Sequence, residues 1–242
     1  MLEEVKKAFY IAKKDLRQYY FKPPTISWGI VFPFVFAFAF LIRSTNKAWI
    51  SPGLLALSIL FSSTSMSSAS VVFERRIGSF ERLLLFPISY AGIAFGKALS
   101  SFFFGVLSSI LTVLAIFLFL GSLPSNPFFL FLTLIAVAFQ FSSLGVFLSF
   151  IAKDPPQSMV FVNIVRFLMM FMCGIFVPLS SLPTFILPFS LALPLTYSVE
   201  AIRFGMTGSY EVIPPYISFA IILLSFPLFL YTTTFLIKRS LE

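Results

Sequence analysis

Residues 128–151 read FFLFLTLIAVAFQFSSLGVFLSFI, a run with no charged side chain and one amide, Gln140, near its middle. Crossing the roughly 30 Å of bilayer hydrocarbon takes about 20 mostly apolar residues in a helix, and this run is long enough to do it. Five further runs have the same character: 25–42, 53–72, 99–120, 158–177 and 216–237. Pro33 lies inside the first and Pro227 inside the last. A span tolerates a proline when neighbouring groups satisfy the carbonyl it leaves free. The whole chain agrees with this reading: 59% of its 242 residues are hydrophobic, 11% are charged, and the mean hydropathy is +1.00. Soluble domains carry about 25% charged residues, so this chain lacks the polar material to cover a water-facing surface. The expected fold is all-α: a polytopic membrane protein with six transmembrane helices.

The charges set the orientation. With six crossings, Lys6, Lys7, Lys13, Lys14, Arg17, Lys22, Arg75, Arg76, Arg82, Lys97, Lys153, Lys238 and Arg239 fall on one side, and Arg43, Lys47 and Arg203 on the other. Basic loops are retained in the cytoplasm, so the expectation is a multi-pass plasma-membrane protein with both termini cytoplasmic. The net charge of +8 is therefore read as topology and not as an affinity for nucleic acid. Residues 1–24 form a separate unit. Val5, Ala8, Phe9, Ala12, Leu16 and Tyr19 recur at helical spacing among lysines, the pattern of an interfacial amphipathic helix lying on membrane lipid, and Pro23-Pro24 ends it. Residues 25–242 are expected to make a single transmembrane domain. Two of its connections are too long for turns. The inner segment 73–98 is charged and then apolar. The outer segment 178–215 is apolar but broken by Pro178, Pro183, Pro188 and Pro194, which favours re-entrant helices over a seventh span.

Several chemistries are excluded by composition. There is no histidine, so His-based metal sites and Ser-His or Cys-His nucleophiles are ruled out. The single cysteine, Cys173, has apolar neighbours and reads as a packing residue; no metal site is expected. The first 22 residues lack the continuous apolar stretch of a cleavable signal. The nearest approach to a phosphate-binding loop is Gly92-Ile-Ala-Phe-Gly96-Lys97-Ala98, which is one residue short and lacks the final hydroxyl.

Residues 73–89 read FERRIGSFERLLLFPIS. Glu74, Arg75, Arg76, Glu81 and Arg82 make a mixed-charge patch, Gly78 permits a sharp turn, and Leu83–Phe86 add apolar surface. A short amphipathic helix of this kind suits a groove in a soluble partner, while a charged loop with no partner is the plainer reading. The run Glu74…Gly78…Glu81…Pro87…Gly96-Lys97 resembles the segment after the second span of type-2 ATP-binding-cassette (ABC) exporter permeases. Residues 173–183, CGIFVPLSSLP, resemble that family's fifth-span exit, and Pro194-Leu-Thr-Tyr-Ser-Val-Glu200-Ala-Ile-Arg203 resembles the stretch before its sixth span. The order of elements agrees over essentially the whole chain, with Cys173 a mild departure at a position where a small hydroxyl residue is common. The resemblance implies a half-transporter that pairs with a second permease copy, giving a homodimer, and with two copies of an ABC-type ATPase subunit. ATP and magnesium then belong to that partner and no cofactor to this chain. It also gives 74–86 the role of coupling helix.

Arg166 is the one basic residue inside an expected span. With Asn163 one turn away and Gln140 on another span, it marks a candidate translocation pathway, a polar inner-leaflet cavity for an anionic head group or phosphate. The alternative is a side chain that snorkels or pairs with a carbonyl at the subunit interface. The second span is rich in serine, which suits close helix packing. Glu200 and Arg203 are one turn apart, either a local ion pair or an outer gate. The expected function is the pathway of an exporter for a lipid, a lipid-linked glycan or an amphipathic drug, with no enzymatic site of its own. The rival reading is a proton-coupled secondary efflux transporter, which needs an ionisable carboxylate or histidine deep in a span; none is present there.

Overall fold

The computed structural model describes residues 2–44, 46–120, 124–151 and 154–239. Lys153, counted above among the inner basic residues, lies outside them. Every regular element among the described residues is helical: α1 (Leu2–Tyr19), α2 (Pro23–Ile26), a π turn (Ser27–Val31), α3 (Phe32–Arg43), α4 (Lys47–Arg76), α5 (Ser79–Leu84), α6 (Tyr90–Leu120), α7 (Pro127–Ile151), α8 (Pro155–Met172), a 3-10 turn (Leu179–Ser181), α9 (Leu187–Ala192), α10 (Pro194–Thr207) and α11 (Pro215–Arg239).

Among the described residues, four helices are long and apolar enough to cross a membrane: Lys47–Arg76, Tyr90–Leu118, Pro127–Ile151 and Pro215–Arg239. Two more apolar stretches are shorter, Ser27–Arg43 and Pro156–Met172. The first of these is bent by its own chemistry. Pro33 has no N–H to give, and the ladder opens just before it, where the N–H of Phe32 reaches back five residues to the carbonyl of Ser27. Between 173 and 214 no described helix approaches crossing length, and α9 is six residues long.

α4 is the centre of the molecule. Its apolar window is wholly buried, and α3, α6, α7, α8 and α10 all pack on it. Its many hydroxyls make that possible. Most bond back to carbonyls of their own helix, as Ser68 does to Ser65, and others cross to neighbours, as Ser58 does to Ser108 and Thr112. The hydroxyl of Ser67 reaches both Ser101 on α6 and the Ser142 carbonyl on α7. Small side chains let helices approach, and the hydrogen bonds satisfy most of these hydroxyls, Ser63 being the exception on α4. Near the start of α4, Pro52 cannot serve the Ala48 carbonyl, which accepts from the Ser51 hydroxyl at 3.3 Å instead. At the other end Gly78 (φ +69°) turns the chain through the left-handed region into α5.

α1 packs against α6 along its length. Glu4 meets Ser89, Ala8 and Ile11 meet Gly96, Asp15 meets Lys97, and Tyr20 just beyond it meets Phe104. The two chains advance together, so α1 runs lengthwise beside the first half of α6. The buried stripe is Ala8, Ile11, Ala12, Asp15 and Tyr19, whereas Val5 and Phe9, expected on that face, are exposed. The stripe has shifted because it follows an acidic residue and not the apolar ones alone. Gly96 allows the approach: a Cβ there would stand 2.9 Å from the Ala8 carbonyl oxygen. Gly96→Val should therefore push α1 off α6. We expect a lower unfolding temperature in detergent, of the order of an overpacking cost of about 1–3 kcal/mol. A thiol reagent should also gain access to Ala12→Cys, which is buried in the parent. Unchanged melting and labelling would show that the approach is not tight.

Candidate functional site

The charged residues collect at the two ends of the bundle, and one guanidinium lies between them. At the α5 end the Lys97 ammonium is fully buried, donating to Glu74 Oε2 at 2.7 Å and pairing with Asp15 Oδ2 at 2.9 Å. Lys14 closes the cluster, donating to the other Glu74 oxygen and standing 3.4 Å from Asp15. Burial pushes the Asp15 carboxyl above the usual range, with Lys97 opposing and Glu74 adding to the rise. Burial and the same two carboxylates also push the Tyr19 hydroxyl up. A second clamp lies about two to three turns earlier on α1. Glu4 accepts from the backbone N–H and hydroxyl of Ser89 at 3.1 and 2.7 Å, which hold its carboxyl below the usual range, and Lys7 donates to the Pro87 carbonyl.

This geometry divides the segment expected to dock a partner. Glu74 is 1% exposed and faces Lys97, so it is withdrawn from the surface and belongs to the interior. Arg75 is also turned inward, donating to the Ser149 carbonyl at 2.9 Å with its guanidinium over Phe150. Arg76, Gly78, Glu81 and Arg82 remain exposed. Beside them stand Ile77, Leu85 and Phe86, exposed by 66%, 86% and 64%, while Phe80 on the opposite face of α5 is buried against Phe150.

Arg166 lies mid-way between the ends and does not snorkel. Its Nε donates to Thr64 Oγ1 at 2.7 Å, Nη2 to Ser65 at 3.1 Å and Nη1 to Asn163 Oδ1 at 3.0 Å, and its guanidinium sits 5.3 Å from the Phe61 ring centre. Gln140 does not join this group. It is fully buried, accepts from Ser198 at 2.7 Å and donates to Ser225 at 2.9 Å, tying α7 to α10 and α11.

At the far end Glu200 and Arg203 form more than a local pair. Glu200 Oε2 accepts from the N–H groups of Glu211 and Val212 at 2.8 and 3.2 Å, and its other oxygen is 3.7 Å from Arg203 Nε. Arg203 donates to the carbonyls of Gly174 and Trp49 and lies 4.8 Å over the Trp49 ring. Glu211 in turn accepts from Ser180. Together they lock α10 to the turn after α8, the start of α4 and the segment leading into α11.

A family model described as ABC-2 type transporter matches residues 7–207. The chain belongs to the ABC-2 type transporter family. Members are membrane-spanning subunits that work with an ABC-type ATPase, so the four crossing-length helices are those of a transporter permease. The permease is similar to "ABC transporter G family member 20" of Dictyostelium discoideum, 28% identical over 156 residues, or 64% of this chain. It spans 21% of that relative's length. It is also similar to "Putative transport permease ycf38" of Cyanophora paradoxa, 25% identical over 222 residues, covering 83% of this chain and 74% of the relative.

The sequence reading gives Asp15 and Lys14 no site role and names Lys97 only within the Gly96-Lys97 run. The available signals were an Asp on the apolar stripe of a lysine-rich helix and a lone Lys at the start of an apolar run. Removing the central cation tests the cluster. Lys97→Met leaves two carboxylates buried without it, and breaking a buried pair costs about 3–5 kcal/mol. We expect a large fall in thermal stability in detergent, partly recovered by adding Glu74→Gln. Additive losses in the double variant would mean that the two residues act independently.

Proposed function

We propose that this permease is the membrane half of an ATP-driven exporter, coupled through α5 and its flanking turn to a separate ATPase that binds ATP and magnesium. The observation that carries this reading is the tip at Gly78–Phe86. Its outer face combines Glu81 and Arg82 with exposed Leu85 and Phe86, while Phe80 and the ion cluster hold it from behind. An apolar knob flanked by charge, fixed on a rigid base, fits a groove in a soluble domain and can transmit its movement into the bundle. The family's dependence on an ABC-type ATPase supplies the partner.

In this reading the chain crosses six times. The π turn with α3 and the 18-residue α8 serve as the shorter spans, a mismatch that local thinning of the bilayer accommodates. α9 and α10 re-enter from the far side. The α5 end faces the cytoplasm with both termini, since Lys6, Lys13, Arg17, Arg76, Arg82, Lys238 and Arg239 are exposed there, against Arg43 and Lys47 opposite. A second copy completes the pathway as a homodimer in the plasma membrane, with two ATPase subunits. Asn163 and Arg166 line that pathway, for a lipid, a lipid-linked glycan or an amphipathic drug. Glu200 and Arg203 brace its outer end. A proton-coupled antiporter would need a carboxylate free to exchange protons within the span. The buried Glu74 and Glu200 are instead tied to fixed partners at the helix ends.

Glu81→Lys tests the coupling surface. The side chain is exposed, so the variant should insert and fold normally while losing co-purification with the ATPase subunit, substrate-stimulated ATP hydrolysis, or both. Wild-type behaviour in both would remove Glu81 from the contact. Topology is tested separately. Cysteines at Lys47 and Ser209 should react with impermeant reagents on intact cells, and one at Arg82 only after permeabilisation; labelling of Arg82→Cys from outside would invert the orientation.

A further inference from the structure

Each buried cation at the ends of the bundle has a carboxylate. Lys97 has Asp15 and Glu74, and Arg203 has Glu200 and Glu211 within 4 Å. Arg166 is 3% exposed, and no carboxylate among the described residues lies within ion-pair distance of it. Its three hydrogen bonds all go to neutral side chains, Thr64, Ser65 and Asn163, and none to a backbone carbonyl. A guanidinium has five N–H groups, so two are left over. Hydroxyl and amide dipoles soften a buried charge but do not neutralise it. If Arg166 served only to join α8 to α4, a neutral amide would do so without that cost.

A second copy of the chain cannot supply the missing anion. All nine carboxylates of the sequence lie outside the middle of the spans: Glu3, Glu4, Asp15, Glu74, Glu81, Asp154, Glu200, Glu211 and Glu242. Arg166 is eleven residues into α8, about 16 Å along it at 1.5 Å per residue. What does reach this level is a shallow, open groove of about 540 Å³ along the outer face of α8, lined by that helix alone. Val160, Ile164, Phe167, Leu168 and Phe171 make it apolar, and Asn163 is its one polar side chain apart from the backbone. Asn163 gives its amide oxygen to Arg166, and its NH2 has no partner among the described residues. The groove thus offers apolar walls and an amide donor with a full positive charge behind it.

We infer that this groove selects amphiphiles that carry an anionic oxygen group, a phosphate above all, with Asn163 as the contact and Arg166 as the charge that discriminates. The inference rests on the permease reading and adds to it the class of molecule accepted. The tail lies along Phe167 and Phe171. The anion replaces lipid beside Asn163 and provides the counter-charge that Arg166 lacks.

The test reads the groove directly. A bimane fluorophore on Ile164→Cys, in a Cys173→Ser background, is reconstituted into vesicles and quenched by brominated lipids. Phosphatidylglycerol and phosphatidylcholine with identical brominated tails are compared. We expect half-quenching at a several-fold lower mole fraction of phosphatidylglycerol. Arg166→Lys should keep the preference and Arg166→Gln should abolish it. Should the Gln variant fail to fold, Asn163→Leu should weaken the preference in folded protein. Equal quenching by the two lipids in the parent overturns the inference, as does a preference that survives Arg166→Gln or is untouched by Asn163→Leu. Failure of the permease reading looks different: the complex with the ATPase would not form, whatever the lipid preference.

Discussion

The buried ammonium of Lys97 constrains the α5 end of this molecule more than any other group. An amine taken out of water is tolerable only when anions stand against it, and here the anions come from two other helices. Glu74 must be delivered by the last turn of α4, and Asp15 by the inner stripe of α1. α1 is therefore drawn alongside α6, Gly96 must stay small, and α4 must end where it does. The tip at Ser79–Leu84 follows immediately and inherits that rigidity. Glu4 on Ser89 and Lys7 on the Pro87 carbonyl fasten its other flank to the same helix. A push on Leu85 or Phe86 is thus received by α1, α4 and α6 together.

The middle of the bundle follows a different rule. There the polar atoms are almost all neutral and most are paired, serine to serine between α4 and α6 and Gln140 to Ser198 and Ser225. Such contacts hold helices close without fixing them by charge. Arg166 is the departure from this rule, and it stands where α8 presents an open groove. Charge is matched at both ends and left unmatched at Arg166, the level at which we propose that a passing molecule is recognised.

Much of the fold could be read from the residues, because hydrocarbon imposes long uncharged runs and those survive as helices. The expected runs 53–72, 99–120, 128–151 and 216–237 all lie inside α4, α6, α7 and α11. Their ends were less legible: α4 and α6 each extend several residues toward α5, because charged side chains there pair with one another and need no solvent. The same cause hid the ion cluster. Glu74 reads as a surface residue beside Arg75 and Arg76, and only the arrival of α1 makes it interior. Asp15 escapes a periodicity read from apolar residues alone. The resemblance of Gly96-Lys97 to a phosphate loop has a structural origin, a close helix contact followed by an ion pair. At the far end, sequence spacing joins Glu200 to Arg203, but Glu211 comes from the following segment and Gly174 and Trp49 from distant ones that spacing cannot bring together. Gln140 and Arg166 sit on different helices and serve different contacts, which no one-dimensional reading separates.

The central claim is that α1, the α5 tip and the adjoining ends of α4 and α6 move as one body when the ATPase partner acts. Spin labels on exposed Tyr10 of α1 and exposed Leu85 at the tip, in the complex of permease and ATPase, give the distance between them by double electron–electron resonance. The account predicts a single narrow distance that is the same without nucleotide and with ATP trapped, while a pair between Leu85 and Ser209 at the far end shifts. A Tyr10–Leu85 distance that broadens or changes on ATP binding would contradict it.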